Sequence, residues 1–257
     1  MFDFFTTQTK ILEQFGGVFV IALLVFSRIT GFATMAPLIG SKQIPALVKV
    51  GFSILLTLLI FPMIEVPEVY PKNYEFVYLI VTNAALGMLI GWVANLVIII
   101  AKIAGEMLDM QMALNAATIF DPGSQAQTTI IGHFFDFLAL VIFVSVGGVE
   151  KVIEALYKSF ISFPVVVHNL SFNFDKLLKA TGEIISMGFL IMSPVIIIIL
   201  TVDLILGLMS RAAPQINAFQ ISFSIKPSVG IILILVLLPA IMEIFARLFS
   251  NPNRYMY

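Results

Sequence analysis

The chain has 257 residues, 60% of them hydrophobic and only 11% charged, with a net charge of −1 at pH 7. Ordinary globular domains carry about 25% charged residues, so this composition indicates a membrane protein without a separate polar domain. The balanced charge offers no basic surface for nucleic acid, and the absence of cysteine excludes disulfides, thiolate catalysis and cysteine-bound metals.

Long apolar segments follow one another along the chain. The longest uncharged runs cover 76–101 and 184–202, and a helix over the first is longer than the hydrocarbon core of a bilayer, which is about 30 Å thick. Because backbone groups in lipid must be hydrogen-bonded within their own segment, we predict a helix in each long apolar segment. The predicted helices cover 14–36, 47–64, 76–105, 129–149, 183–210 and 228–249.

Charges and prolines interrupt several of these helices. Arg28 lies in the first, Asp136 in the fourth, and Pro239 and Glu243 in the last. A charge at the bilayer centre costs about 2.5–3.5 kcal/mol, so each charged residue is expected to face protein or water. The predicted fold class is all-α: a polytopic membrane protein built of long apolar helices and helical hairpins, several kinked or interrupted, that packs inside a larger assembly.

Two polar connections differ in character. Residues 61–75 contain three prolines and three glutamates, which predicts an extramembrane loop. Residues 149–182 carry charges at helical spacing, so we predict that part of this stretch forms an amphipathic surface helix.

Three carboxylates, Glu106, Asp109 and Asp121, flank the third predicted helix. Intramembrane carboxylates can relay protons or bind ions. Lys102 and Glu106 are four residues apart, however, which also fits a local pair on a helix that is leaving the apolar zone. Both interpretations stay open.

Small residues recur at four-residue spacing on the same helix. Gly87 and Gly91 form one pair, and Ala101 and Gly105 form a second. This pattern predicts close approach of another helix, although a glycine-bearing apolar helix also produces it by chance.

Motifs of catalysis are missing from the sequence. His133 and His168 lack metal-site spacing, and neither a Walker loop nor a Gly-x-Ser-x-Gly elbow occurs. We therefore expect no enzyme activity, no cofactor and no metal site.

Three blocks of sequence resemble the FliR family of flagellar export proteins, whose virulence-system relatives are the SctT proteins. The blocks are 28–31 with Pro37 and Pro45, 105–127, and 206–219 with Lys226 and Gly230. Their order and spacing and the chain length match over essentially the whole chain, and 210–215 is the most specific stretch. The family often has glycine where this chain has Ala113, and an aromatic residue where it has Ala116.

The resemblance implies a non-enzymatic core subunit of the type III export gate. Such subunits assemble in lipid with P-type and Q-type partners into a closed pore for unfolded protein substrates, a B-type switch protein wraps its entrance, and an A-type export protein lies beside it. The resemblance also implies a bacterial inner-membrane location within the basal body, partly on the periplasmic side, and favours a flagellar apparatus over an injectisome. Residues 1–182 would form a P-type-like helical part, and 183–257 a Q-type-like hairpin.

Residues 114–127 join two apolar helices but are rich in small and polar residues. Taken alone, they fit a surface loop with a few apolar residues packed back. The resemblance favours a pore plug, in which Leu114, Ile119 and Phe120 form a hydrophobic constriction and Asp121 and Pro122 lie in its turn.

Other residues are predicted to have structural roles. Arg211 at a helix C-terminus complements the helix dipole, and Pro214 stops that helix. The full set of candidate polar and turn residues is Arg28, Glu106, Gln111, Arg211, Pro214 and Gln215.

The main alternative is a secondary transporter or ion channel with broken helices. The interrupted helices and the carboxylates near 106–121 support it. A transporter of this size usually has paired repeats, and no repeat is visible in the sequence.

Overall fold

The computed structural model describes residues 2–64, 73–114, 129–166, 174–215 and 217–250. These ranges fold into helices with short connections and contain no strand, which confirms the predicted all-α class. The helices are α1 Phe2–Met35, α2 Ala46–Ile60, α3 Asn73–Gln111, α4 Ile130–Ser145, α5 Gly148–Ser162, α6 Phe174–Ala212 and α7 Ala218–Ser250, with a 3-10 turn Phe61–Met63 after α2.

Helices of membrane-spanning length account for most of the described chain. By length and composition, five candidate spans lie within α1, α2 with its 3-10 turn, α3, α6 and α7. The pair of α4 and α5, bent by 73°, adds a sixth if the two helices form one span. The chain is therefore a polytopic helical membrane protein, as predicted.

Three predicted helix starts were too late. Helix α1 begins at Phe2 instead of 14. Helix α6 begins at Phe174 instead of 183, and α7 begins at Ala218 instead of 228. The apolar runs show where a helix can face lipid, but a helix also continues through charged residues that find a partner. Lys226 of α7, for example, pairs with Asp203 of α6, with its Nζ 2.5 Å from the carboxylate.

Helix α5 has the amphipathic pattern predicted for the stretch after residue 148. Its buried face contains Leu156 and Phe160, and its exposed face carries a Glu154–Lys158 ion pair with a 2.7 Å separation. A break separates it from α4 because Gly147 adopts a left-handed backbone with φ of 71°, which glycine tolerates best.

The chain divides into two compact units. The first unit comprises Met1–Asn95 and Val149–Phe172. Its described core is formed by fully buried side chains of α1, including Leu24 and Ile29, with Leu79 of α3. Helix α2 packs along α1 and leaves most of its own apolar surface exposed.

The second unit comprises Leu96–Gly148 and Asn173–Tyr257. Helices α6 and α7 pack as a hairpin, and α4 packs against α7. The contact between α4 and α7 includes edge-on aromatic pairs, Phe135 with Phe245 at 6.5 Å and Phe143 with Phe249 at 5.3 Å between ring centroids. Each such pair contributes about 0.5–1.5 kcal/mol beyond its buried area.

The boundary predicted between residues 182 and 183 does not correspond to these compact units, because it describes a different property. It rests on the family likeness of 1–182 and 183–257 to P-type and Q-type proteins, whereas the compact units follow internal packing. That division stays a prediction.

Candidate functional site at the junction of α3 and α4

Asp109, in the last turn of α3, is fully buried. Its carboxylate accepts hydrogen bonds from the backbone N–H of Ile131, at 3.0 and 3.1 Å, and of Gly132, at 3.0 Å. These amides belong to the first turn of α4, where they have no helical partner and where the helix dipole favours a negative charge. Thr129, the N-cap residue of α4, makes no side-chain capping bond. Asp109 therefore caps α4 from a neighbouring helix.

Glycines bring the backbones of α3 and α4 together beside this cap. A Cβ on Gly105 would lie 2.5 Å from the carbonyl oxygen of Ile131, and one on Gly132 would lie 2.8 Å from Cγ of Glu106. Both distances are too short for real atoms. In the second small-residue pair, Gly105 therefore contacts the backbone of α4. Ala101 is fully buried.

Helix α3 ends in a left-handed turn at Ala113, whose φ is 57°. The N–H of Leu114 donates to the carbonyl of Asp109 at 3.0 Å, and the N–H of Ala113 donates to that of Met110 at 3.2 Å. This pair of bonds is the Schellman motif, in which glycine is the usual left-handed residue. Ala113 therefore occupies a left-handed position that favours glycine.

Ala113→Gly is therefore expected to stabilise the protein by about 1 kcal/mol, because it removes a Cβ from a left-handed backbone. The same change at Ala240, on the exposed side of helix α7, should instead destabilise by about 1 kcal/mol. Thermal denaturation of the purified protein measures both. Loss of stability in Ala113→Gly would show that the turn carries no strain.

Met112 attaches the end of α3 to α7. Its side chain is fully buried, and a Cβ on Gly230 would lie 2.6 Å from its Sδ and Cε. Gly230 therefore leaves the space that Met112 fills. Both helices belong to the second unit, so the end of α3 is fixed against α4 by Asp109 and against α7 by Met112.

The predicted plug residues are only partly described. Leu114 is half-buried at the end of α3. Ile119, Phe120, Asp121 and Pro122 lie outside the described residues. The structure therefore describes the two anchors of this segment, at 114 and 129.

A second buried charge, Arg28 of α1, lies in the first unit and is fully buried. Its guanidinium donates twice to Oδ1 of Asn83, at 2.6 and 3.0 Å, and to the carbonyls of Ser159 at 3.0 Å and Phe163 at 2.9 Å. It also lies 4.4 Å from the ring centroid of Phe160. The two carbonyls end α5, where the helix dipole favours a cation. No carboxylate of the described ranges comes within 4.0 Å of Arg28.

Asn83 orients this arginine and is itself buried. Its amide nitrogen donates to the carbonyl of Leu79 at 2.8 Å and to that of Val165 at 2.9 Å. Because both amide hydrogens are used, its oxygen faces Arg28. The network ties α1, α3 and the end of α5 together.

The first small-residue pair lies against α1. A Cβ on Gly87 would overlap the carbonyl oxygen of Arg28, and one on Gly91 would lie 2.7 Å from that of Phe32. Gly31 of α1 faces α3 with equally little space. The α1 and α3 backbones touch here, so no side chain fits between them.

The other candidate polar residues of α3 are half-exposed. Glu106 packs its Cγ near Gly132, and Gln111 lies in the last turn of the helix. No ion pair within 4.0 Å joins Lys102 to Glu106, both of which the structure describes. Among the described residues, no group of three His, Asp or Glu side chains is arranged to hold a metal ion.

The hairpin connection is exposed. Arg211 lies in the last turn of α6, which ends one residue later, and Pro214 and Gln215 follow it. Asn217 begins the return, with its Oδ1 accepting from the N–H of Gln220 at 3.3 Å. The predicted structural roles of Arg211, Pro214 and Gln215 stay predictions.

Sequence reasoning did not single out Asn83 or identify the cap formed by Asp109. The helical spacing signalled that both residues lie on close-packed helix faces, but not which groups they bind. Asn83 lies four residues before Gly87, and Asp109 four residues after Gly105, so each polar group shares a face with a close-packing glycine.

The fold defines a polytopic α-helical membrane protein, and the two buried charges of its described ranges are balanced by helix ends. The sequence model of the family described as Bacterial export proteins, family 1, matches residues 19–251, and the chain belongs to this family. Over 232 residues it is 30% identical to the flagellar biosynthetic protein FliR of Bacillus subtilis (strain 168), covering 89% of this chain and 90% of the relative.

Two further relatives extend the comparison. FliR of Escherichia coli (strain K12) is 31% identical over 225 residues, which are 87% of this chain and 86% of that protein. The surface presentation of antigens protein SpaR of Shigella flexneri is 29% identical over 164 residues, which are 63% of this chain and 64% of that protein. The predicted resemblance to the FliR family is confirmed.

Family membership fixes the general role of the chain. It is a component of a bacterial export apparatus, an inner-membrane protein that associates with other export-gate components. Members of this family are structural components, so the prediction that the chain is not an enzyme is confirmed.

Proposed function

We propose that the chain is a core subunit of the flagellar type III protein export gate. With P-type and Q-type subunits it forms a closed pore for unfolded export substrates. The relatives named as flagellar proteins match a larger share of the chain than SpaR does, 89% and 87% against 63%. This difference favours the flagellar apparatus.

The gate lies in the basal body, partly on the periplasmic side of the bilayer. Residues 1–182 supply the P-type-like part, and 183–257 the Q-type-like hairpin. A B-type switch protein surrounds the entrance, and an A-type export protein lies beside it. The exposed Glu243–Arg247 ion pair supports burial among subunits, because it lies on a membrane-length helix where contact with lipid would be costly.

Residues 114–127 act as the plug of this pore. Leu114, Ile119 and Phe120 form a constriction that excludes water, and Asp121 and Pro122 turn the chain back. The observation that carries the proposal is the cap formed by Asp109. Because it joins the end of α3 to the start of α4, the intervening segment leaves and returns at one place. A loop that projects into a pore needs such a closed base.

The remaining candidate residues serve assembly instead of transport. The small residues let helices approach closely, and the polar and turn residues fix helix ends. They are Gly87, Gly91, Ala101, Gly105, Arg28, Glu106, Gln111, Arg211, Pro214 and Gln215.

The variant Ile119→Gly/Phe120→Gly tests the plug. It removes the bulk that excludes water but leaves the helix contacts intact, so the complex should form and its pore should leak small ions while export is idle. Conductance of membranes that contain the purified complex measures the leak.

The matched control is Ile119→Leu/Phe120→Leu, which keeps apolar bulk and should stay tight. Equal, low conductance of the two variants in intact complexes would show that residues 114–127 are a surface loop and not a plug.

A further inference from the structure

We infer that Asp109 is a positioning residue for the closed gate, because its side chain holds the first turn of α4 against the end of α3 and so fixes both anchors of the plug. This inference rests on the proposed function of residues 114–127. It assigns a gating role to a side chain that lies in the wall of the protein and outside the constriction.

Asp109 makes contacts in both directions along the chain. Its carboxylate binds the N–H groups of Ile131 and Gly132, after the segment. Its main-chain carbonyl accepts from the N–H of Leu114, before the segment. One residue therefore holds the chain where the segment leaves α3 and where it enters α4.

The carboxylate is suited to a tight hold because it is buried and charged. No Lys or Arg of the described ranges lies within 4.0 Å of Asp109, so the amides of α4 are its main electrostatic partners. Hydrogen bonds to a charged acceptor are about twice as strong as neutral ones. A neutral side chain at this position should hold α4 less firmly.

The surrounding packing makes the hold specific. At Gly105 the backbone of α4 leaves no space for a Cβ, and at Gly132 the side chains of Thr129 and Glu106 leave none. Met112 fixes the end of α3 against Gly230. Movement of the start of α4 relative to α3 therefore requires the Asp109 contacts to break. Their strength sets how often the base of the plug opens.

Asp109→Asn is the primary test. Asparagine keeps the size of the side chain and one acceptor oxygen but loses the charge and the second acceptor. We expect about a tenfold rise in idle conductance of the assembled complex, which corresponds to about 1.4 kcal/mol. The control is Asp136→Asn, a half-buried carboxylate farther along α4, which should leave conductance unchanged.

A second variant separates positioning from simple capping. Thr129 is an N-cap residue without a capping bond, so Thr129→Asp can accept from the same amides of α4. Combined with Asp109→Asn, it should restore the helix cap and complex yield without restoring the tie to α3. The double variant should therefore assemble normally and still leak.

Each outcome decides between the two proposals. If Ile119→Gly/Phe120→Gly leaks but Asp109→Asn/Thr129→Asp is tight, the positioning role is wrong and the plug stands. If the glycine variant is tight, the plug itself is wrong. If Thr129→Asp fails to restore assembly to Asp109→Asn, Asp109 is required for packing and the positioning inference is overturned.

Discussion

Arg28→Leu is expected to lose most of its assembled complex. The change leaves Oδ1 of Asn83 and the carbonyls of Ser159 and Phe163 without their buried donor. Each buried acceptor that loses its partner costs about 1–3 kcal/mol, so the total is several kcal/mol. That is a large part of the roughly 5–15 kcal/mol that stabilises a typical domain. Complex recovery and thermal denaturation in detergent measure the loss.

The matched control is Arg247→Leu. Arg247 is an exposed arginine that pairs with Glu243 one helical turn earlier, and exposed ion pairs contribute little. Arg28→Lys should fall between the two, since an ammonium keeps the charge but has three donors where a guanidinium has five. Equal recovery of Arg28→Leu and Arg247→Leu would show that the buried network does not stabilise the fold.

A double-mutant cycle of Arg28→Leu and Asn83→Leu tests whether Arg28 and Asn83 act together. Asn83→Leu alone removes the oxygen that receives two of the arginine's hydrogen bonds. Because the residues share these bonds, the double variant should lose less stability than the sum of the single variants. Simple additivity would contradict a shared network.

Gly87→Ala is expected to have the second largest effect, although it adds only one methyl group. That group would overlap the carbonyl oxygen of Arg28 and lie 2.8 Å from the amide nitrogen of Phe32. Both are backbone atoms that no side-chain rotation can move. Overpacking of this kind costs about 1–3 kcal/mol or more, so complex recovery should fall markedly.

The same substitution at Gly51 provides a control of opposite sign. A Cβ on Gly51 of helix α2 would meet no other atom within 4 Å. Alanine is favoured over glycine in a helix by about 1 kcal/mol, so Gly51→Ala should keep or raise stability. Loss of recovery in Gly51→Ala would instead reveal a close partner at that face.

Hydrophobic patterning was sufficient to predict the helices. Runs such as 76–101 have no charge and are too long for an ordinary core, so their helical, membrane character follows from the sequence. The glycine spacing around Gly87 also indicated a close helix contact. The spacing could not indicate which helix contacts Gly87, because a small residue shows that another backbone can approach but not which one does.

The hydrogen-bond partners of the two charged residues buried within the described ranges could not be predicted. Arg28 and Asp109 each face a helix end, where main-chain groups supply the partners of Asp109 and, together with the side chain of Asn83, those of Arg28. Main-chain partners have no residue signature, so a search for oppositely charged side chains misses them. Lys102 and Glu106 show the reverse, since their helical spacing fitted a local pair but no ion pair within 4.0 Å joins them.

The start of α7 was predicted too late for a related reason. Lys226 lies just before the predicted start at 228, and Asp203 of α6 neutralises it within the hairpin. Only the packing of the two helices shows this pair. Sequence patterns therefore located apolar surfaces well and helix ends less well.

Purification of the chain from native membranes tests the export-gate assignment most directly. An affinity-tagged chain, extracted in mild detergent, should elute in a large stable complex with two smaller hydrophobic partners, and mass spectrometry should identify P-type and Q-type subunits. Recovery of the chain alone or as a homo-oligomer that conducts or transports small solutes would contradict the account and support the transporter or channel alternative.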